Sequence, residues 1–131
     1  MRKGTRISVA EALAKLQFLP DRTPQMAFSG GSDRAFAEVS PYRDGAIYIG
    51  FYSGNSEWER HVNGDEIVMV LEGSTTVVMR QDGQDIRSQL RAHELIVVPA
   101  DTWHRFEASE RLKVMTVTPQ PTDHRLQVDD A

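Results

Sequence analysis

The stretch EWERHVNGDE, residues Glu57 to Glu66, decides how this chain is read. It sets four carboxylates and a histidine around an Asn-Gly pair, directly before the apolar run IVMVL. Asn-Gly between strand-like segments is a strong hairpin signal, because both central positions of that turn need positive φ. A two-residue loop at Asn63-Gly64 predicts that Val62 faces Asp65 and His61 faces Glu66. Directly opposed side chains lie roughly 4.5–5.5 Å apart at Cβ. Strand period adds Glu59 to the His61 face and carries Val68 and Val70 with Glu66. Arg60, Val62 and Asp65 then point away. Two carboxylates and an imidazole on a valine-lined face need a partner or a metal if buried. On an exposed strand end they are ordinary surface polars.

Around this stretch the texture is that of a β protein. AIYIGFY, EIVMVL, STTVVMR, DIRSQL, ELIVVP, WHRFEA and LKVMTVT are short runs rich in Val, Ile, Thr and aromatics. Turn signals separate them at Ser53-Gly54-Asn55, Asn63-Gly64, Glu72-Gly73, Asp82-Gly83-Gln84 and Pro99-Ala100-Asp101. This spacing predicts an all-β sandwich or barrel. Ser8 and Glu11 form a capping-box pattern, and Ala10, Leu13, Ala14 and Leu16 give a short helical stripe ending before Pro20. The segment after Pro119 is polar and reads as a tail. In ELIVVPADTWHRFEA, Thr102, His104 and Phe106 share one face, and Trp103 and Arg105 the other.

Composition narrows the function classes. The chain has 131 residues, a size for one core, and a formal charge of −4. That charge argues against nucleic acid or an anionic membrane as partner. There is no cysteine, which removes disulfides, thiolate nucleophiles and cysteine metal sites. The basic start MRKGTR leads into no sustained apolar segment, so the reading is of a cytoplasmic domain.

Two segments carry a family resemblance. GNSEWERHVNGDEIVMVLEG, from Gly54 to Gly73, and HELIVVPADTWHRFEA, from His93 to Ala108, resemble the two boxes of the cupin superfamily, small β-barrels of the jelly-roll kind. His61, Glu66 and Gly73 match the second histidine, the glutamate and the closing glycine of the first box. Pro99 and His104 match the second box. Glu59 stands where the first histidine would be, His93 and Asp101 replace two glycines, and Ala108 replaces an asparagine. Asp tolerates a left-handed backbone better than most residues. The resemblance implies an all-β cupin-type jelly-roll barrel with a short N-terminal helix. Residues 1–40 would be an extension packed on the barrel, 41–118 the barrel, and 119–131 a C-terminal tail.

It also implies a divalent metal held by Glu59, His61, Glu66 and His104. Two carboxylates and two imidazoles favour Fe, Mn, Ni or Zn over Cu(I). With Glu59 outside the ligand set, His61, Glu66 and His104 form the two-histidine, one-carboxylate set of non-haem Fe(II) oxygenases, and Glu59 becomes a candidate catalytic base. The implied function is a metal-dependent enzyme acting on a small polar molecule, an oxidoreductase of the dioxygenase kind. The alternatives are a non-catalytic binding or sensing domain, and an isomerase or lyase using Glu59 as base. A homodimer is expected, with residues Thr5 to Glu38 as the cover. Asp65 becomes a ligand only if a bulge turns it inward. His93 and His124 read as solvated, and Trp58 and Trp103 as packing outside the barrel.

Overall fold

The computed structural model describes residues 3–129. Two short helices, α1 (Val9–Ala14) and α2 (Met26–Ser29), accompany nine strands: β1 (Leu19–Arg22), β2 (Phe36–Tyr42), β3 (Gly45–Gly54), β4 (Trp58–His61), β5 (Glu66–Gln81), β6 (Gln84–Arg91), β7 (Leu95–Val98), β8 (His104–Pro119) and β9 (Thr122–Arg125). The Ser8 hydroxyl caps α1 by accepting from the Glu11 N–H at 3.2 Å, as the sequence pattern predicts. Among the described residues no helix is long and apolar enough to cross a membrane.

The fold is an all-β jelly roll organised on β8. One edge of β8 pairs with β5 from Ile67↔Val117 to Met79↔His104. The other edge takes β3 and then, at Glu59↔His104, β4. The far edge of β5 carries β7 at its start and β6 at its end. The far edge of β3 carries β2 antiparallel and β1 parallel.

The inner faces follow the period of two. Val68, Val70 and Val77 of β5 are fully buried and pack with Tyr52, Leu90, Val98, Phe106, Leu112 and Val114. Each such valine contributes about 1.5 kcal/mol or more by leaving water. Glu66 and His104 lie on these same inner faces and are equally buried. Trp58 and Trp103 pack outside this core, as predicted, in a second cluster with Val78 that Val128 covers.

Three expectations change. Asn63-Gly64 does not close a β4–β5 hairpin: β4 pairs with β9 and touches β8 instead. Neither residue has positive φ, so the primed turn is absent. The Asn63 side chain is used otherwise, donating to the Gln120 carbonyl at 2.8 Å. Glu72-Gly73 is not a turn but a bulge inside the single strand β5, and WHRFEA and LKVMTVT are one strand, β8. The register between them shifts between Val70 and Thr76. Gly73, Ala108 and Arg111 take positive φ where these strands bend. Finally, the segment after Pro119 contributes β9, which pairs with all of β4 from Trp58↔Arg125 to His61↔Thr122.

Gly73 and Gly83 separate space from backbone strain. Both have φ near +70°, at 75° and 72°. A Cβ on Gly73 would lie 2.3 Å from the Arg111 carbonyl oxygen, whereas Gly83 has open space around it. Gly83→Ala should therefore cost about 1 kcal/mol from conformation alone, and Gly73→Ala about 3 kcal/mol or more. Urea unfolding of both variants checks this. Equal losses would mean that the bulge does not need the close approach.

Candidate metal centre

Three strand ends converge on one carboxylate. Glu66 opens β5, His104 opens β8 and His61 ends β4. All three are buried, and their ligand atoms lie within 4.8 Å of one another. His104 Nε2 is 2.9 Å from Glu66 Oε1, and His61 Nε2 is 3.4 Å from Glu66 Oε2. The imidazole centroids are 5.2 Å apart. Glu59, on the same face of β4 as His61, reaches within 3.9 Å of His61 Nε2. The four residues singled out in the sequence therefore meet, although without the hairpin that suggested it. The Asp101 N–H donates to the His61 carbonyl at 2.9 Å, with Asp101 in the left-handed region at φ 59° as predicted.

The hydrogen bonds behind the histidines fix their tautomers. His104 Nδ1 donates to the Thr102 carbonyl at 2.9 Å. Thr122 Oγ1 donates to Gln120 Oε1 at 3.0 Å, so it accepts from His61 Nδ1 at 2.9 Å. Each Nε2 is thus left with a lone pair directed at a carboxylate. His61 Nε2 is buried with no hydrogen-bond partner among the described residues. Two lone pairs facing a buried anion are repulsive unless a cation stands between them, either a proton or a metal ion. Without a metal, a proton serves. Burial pushes the His104 pKa down, but its bond to Glu66 outweighs this and raises it. Burial pushes Glu66 up, yet the bond from His104 and the nearness of His61 hold it at about 2. Thr118 Oγ1 donates to the second oxygen, Glu66 Oε2, at 2.5 Å. This donor set fits a divalent ion: two oriented imidazoles, one anchored carboxylate and a second carboxylate in reach.

Glu59 is perturbed the other way. Burial raises its pKa, and the charges of Glu57 and Glu66 raise it further. It lines a cavity of about 400 Å³ together with Glu66, Thr116, Thr118 and Thr122. The apolar wall comes from Phe36, Ile49, Phe106 and Val114.

A second group in this cavity escapes the sequence reading. Glu57 is 2 % exposed, accepts from His124 Nδ1 at 2.6 Å and pairs with Arg22 at 3.3 Å. Burial raises the Glu57 pKa, but His124 and Arg22 bring it below the ordinary value. The His124 bond to Glu57 raises the imidazole's own pKa. His124 is exposed, as expected of a solvated residue, yet lies with Glu57 and Glu59 in a second carboxylate–imidazole group. Glu57 shares parity with Glu59 and His61, a signal that was available. Arg22 and His124 had none. His93 is exposed at a turn, and Asp65 faces outward, accepting from the Ala100 N–H at 2.8 Å.

With this geometry in place, comparison with known proteins is decisive for the family. The model of the family described as Cupin_2, cupin domain, matches residues 52–118, just over half of the chain. This chain belongs to the cupin domain family. The cupin is 25% identical over 67 residues to YdbB, an uncharacterised protein of Bacillus subtilis (strain 168), covering 51% of this chain and 57% of YdbB. It thus spans little more than half the length of that relative. A cupin-2 domain containing protein from Shewanella frigidimarina NCIMB 400 superposes with a TM-score of 0.52 and 26% identity, over 69% of this chain and 79% of that one. Hydroquinone 1,2-dioxygenase from Sphingomonas sp. TTNP3, solved with 4-hydroxybenzoate bound, superposes with a TM-score of 0.56 over 72% of this chain and 70% of that one. At 15% identity the second likeness is one of fold.

The double variant His61→Ala with His104→Ala should lose divalent metal altogether, measured by elemental analysis of protein purified without chelator. Stoichiometric metal in a folded double variant would place the site elsewhere.

Proposed function

We propose that this cupin is a metal-dependent enzyme acting on a small polar molecule in an oxygen-dependent, dioxygenase-like reaction, with the substrate chelated to the metal. The observation that carries this reading is the buried His61 Nε2, without a hydrogen-bond partner among the described residues, set beside His104 and beside Glu66, which lines a cavity large enough for a small organic molecule. Two histidines and one carboxylate with open positions suit non-haem Fe(II), and Mn, Ni or Zn fit the same donors. The shared fold of a hydroquinone 1,2-dioxygenase supports the reaction class. When bound, the ion would act as a Lewis acid towards oxygen atoms of the substrate.

The chain's own residues have separable tasks in this reading. His61, Glu66 and His104 hold the ion. Thr102, Thr122 and Thr118 keep those three side chains oriented. The apolar wall of Phe36, Ile49, Phe106 and Val114 limits water around the reacting atoms. Glu59 serves either as a fourth ligand or as the group that exchanges a proton with substrate. Its raised pKa and its place on the cavity wall favour the proton role, and this same observation supports the second reading, a cupin isomerase or lyase with Glu59 as base. A sensing domain built on the same site would bind metal and ligand without turnover. The barrel in this proposal is 41–118. Residues 1–40 and 119–131 wall its cavity, in keeping with the contributions of Ala27, Ser32, Gln120 and His124 to the lining.

Glu59→Gln separates the roles. As a proton-transfer group, its loss should leave metal affinity nearly unchanged and lower oxygen consumption by about two to four orders of magnitude. As a ligand, its loss should weaken metal binding markedly, and Glu59→His should restore it. Oxygen-electrode assays and metal titrations of both variants decide. No oxygen uptake with any of the four metals across small acids, diketones and phenols would overturn the dioxygenase reading.

The proposed assembly is a homodimer. Ile67, Leu95 and Val97 are 40%, 54% and 48% exposed, and Ile67 pairs directly with Val97, which leaves an apolar patch on β5 and β7. Sedimentation equilibrium should give a dimer at micromolar concentration. Val97→Asp should shift it to monomer if this patch is the contact, and an unchanged dimer would move the contact to the Thr5–Glu38 segment.

A further inference from the structure

Arg22 is a cavity-lining charge that the proposed chemistry does not use. Its side chain is 12% exposed and lines the cavity. Its guanidinium lies over the rings of Phe36 and Tyr52, with its carbon 4.7 and 4.6 Å from their centroids. The backbone is fixed as well. A Cβ on Gly54 would meet the Arg22 carbonyl oxygen at 2.3 Å, so the glycine allows β1 to close on β3, and the Asn55 N–H donates to that oxygen at 2.9 Å. A guanidinium stacked on two rings and largely shielded from water has lost much of its freedom before any ligand arrives.

Neutralising Glu57 does not account for it. Among the described residues the guanidinium makes a single side-chain hydrogen bond, from Nη2 to Glu57 Oε1 at 3.3 Å. An arginine has five N–H donors in a fork that matches a carboxylate through two parallel bonds. Here one long bond is made, and the other Glu57 oxygen is held by His124 at 2.6 Å. The remaining donors of Arg22 are uncommitted. Tyr52 also lines this cavity with the ring over which the guanidinium lies, while its hydroxyl is fully buried in the neighbourhood of Arg22 and Ser109.

We propose that Arg22 anchors a carboxylate-recognition subsite, so that the cavity takes a small organic acid with an apolar body. The spare donors bind the carboxylate, and Phe36, Ile49, Phe106 and Val114 enclose the body. The inference deepens the proposed function and rests on it only for which end of the substrate meets the metal. Carboxylate binding itself needs no metal.

The test uses the full-length protein stripped of metal, titrated calorimetrically with benzoate and with benzamide, its uncharged isostere. Benzoate should bind at least about tenfold more tightly than benzamide, because only the anion matches the guanidinium fork. Arg22→Lys keeps a cation beside Glu57 and so protects the fold, but should weaken benzoate binding by about tenfold or more. Glu57→Gln should retain or tighten it, since a competing carboxylate is gone. Folding of each variant is checked by its thermal transition. Equal affinity for the two probes, no benzoate binding, an unchanged affinity in folded Arg22→Lys, or loss of binding in folded Glu57→Gln would overturn the subsite. Metal-loaded protein that binds benzoate but consumes no oxygen with any small acid would overturn the dioxygenase reading alone.

Discussion

The carboxylate of Glu66 is the constraint to which the surrounding structure answers. It shares a face with Val68 and Val70, where water does not compensate it. An uncompensated buried charge costs several kcal/mol, and removing one partner of a buried pair typically costs about 3–5 kcal/mol. Glu66 therefore fixes what must stand around it. His61 ends β4, His104 opens β8, and Thr118 lies near the far end of β8. Meeting one anion ties the two ends of the longest shared strand to a short strand that has little core of its own. The site is thus part of the local packing.

The same requirement explains where the backbone is strained. His93 and Asp101 stand at positive φ on either side of β7, where a glycine would sit without cost. Their backbone N–H groups are used: His93 donates to the Val70 carbonyl and Asp101 to the His61 carbonyl. The second of these bonds anchors His61 of the candidate metal centre. Strain of this kind, about 1–3 kcal/mol per residue, persists only where neighbouring interactions over-determine the conformation. Asp101 is also 3.6 Å from Arg60, which lies over Trp103. The outer tryptophan cluster and the inner histidine are therefore held by adjacent atoms of one turn.

What the sequence made legible follows from the range of each signal. Period-two alternation is local, so it placed Val68, Val70, Glu66, His104 and Phe106 on inward faces. The capping pattern at Ser8 and Glu11 spans four residues and held. The Asn63-Gly64 signal failed because turn preference is weak against tertiary pairing: β4 gains partners in β8 and β9 that a hairpin with β5 would exclude. Glu72-Gly73 was misread because a bulge and a turn need the same left-handed glycine. Arg22, Glu57 and His124 form one group from positions 35 and 67 residues apart in sequence. No periodicity connects such distances. The strand β9 has a sequence, TDHR, with no apolar alternation, so only its pairing with β4 makes it a strand.

Glu59 lies between the two charged groups, and its state depends on both. Burial favours its neutral form, and the charges of Glu57 and Glu66 add to that preference. Arg22 and His124 already offset Glu57, whereas Glu66 relies on a proton shared with His104. A divalent ion at His61, Glu66 and His104 would replace that proton with a larger positive charge a few ångströms from Glu59. Near an added cation a carboxyl group ionises more readily. Binding of the ion would therefore lower the Glu59 pKa and favour the carboxylate that either of its proposed roles requires. In the proposed site, a carboxylate in place of an imidazole at this position would add a negative charge that the ion stabilises.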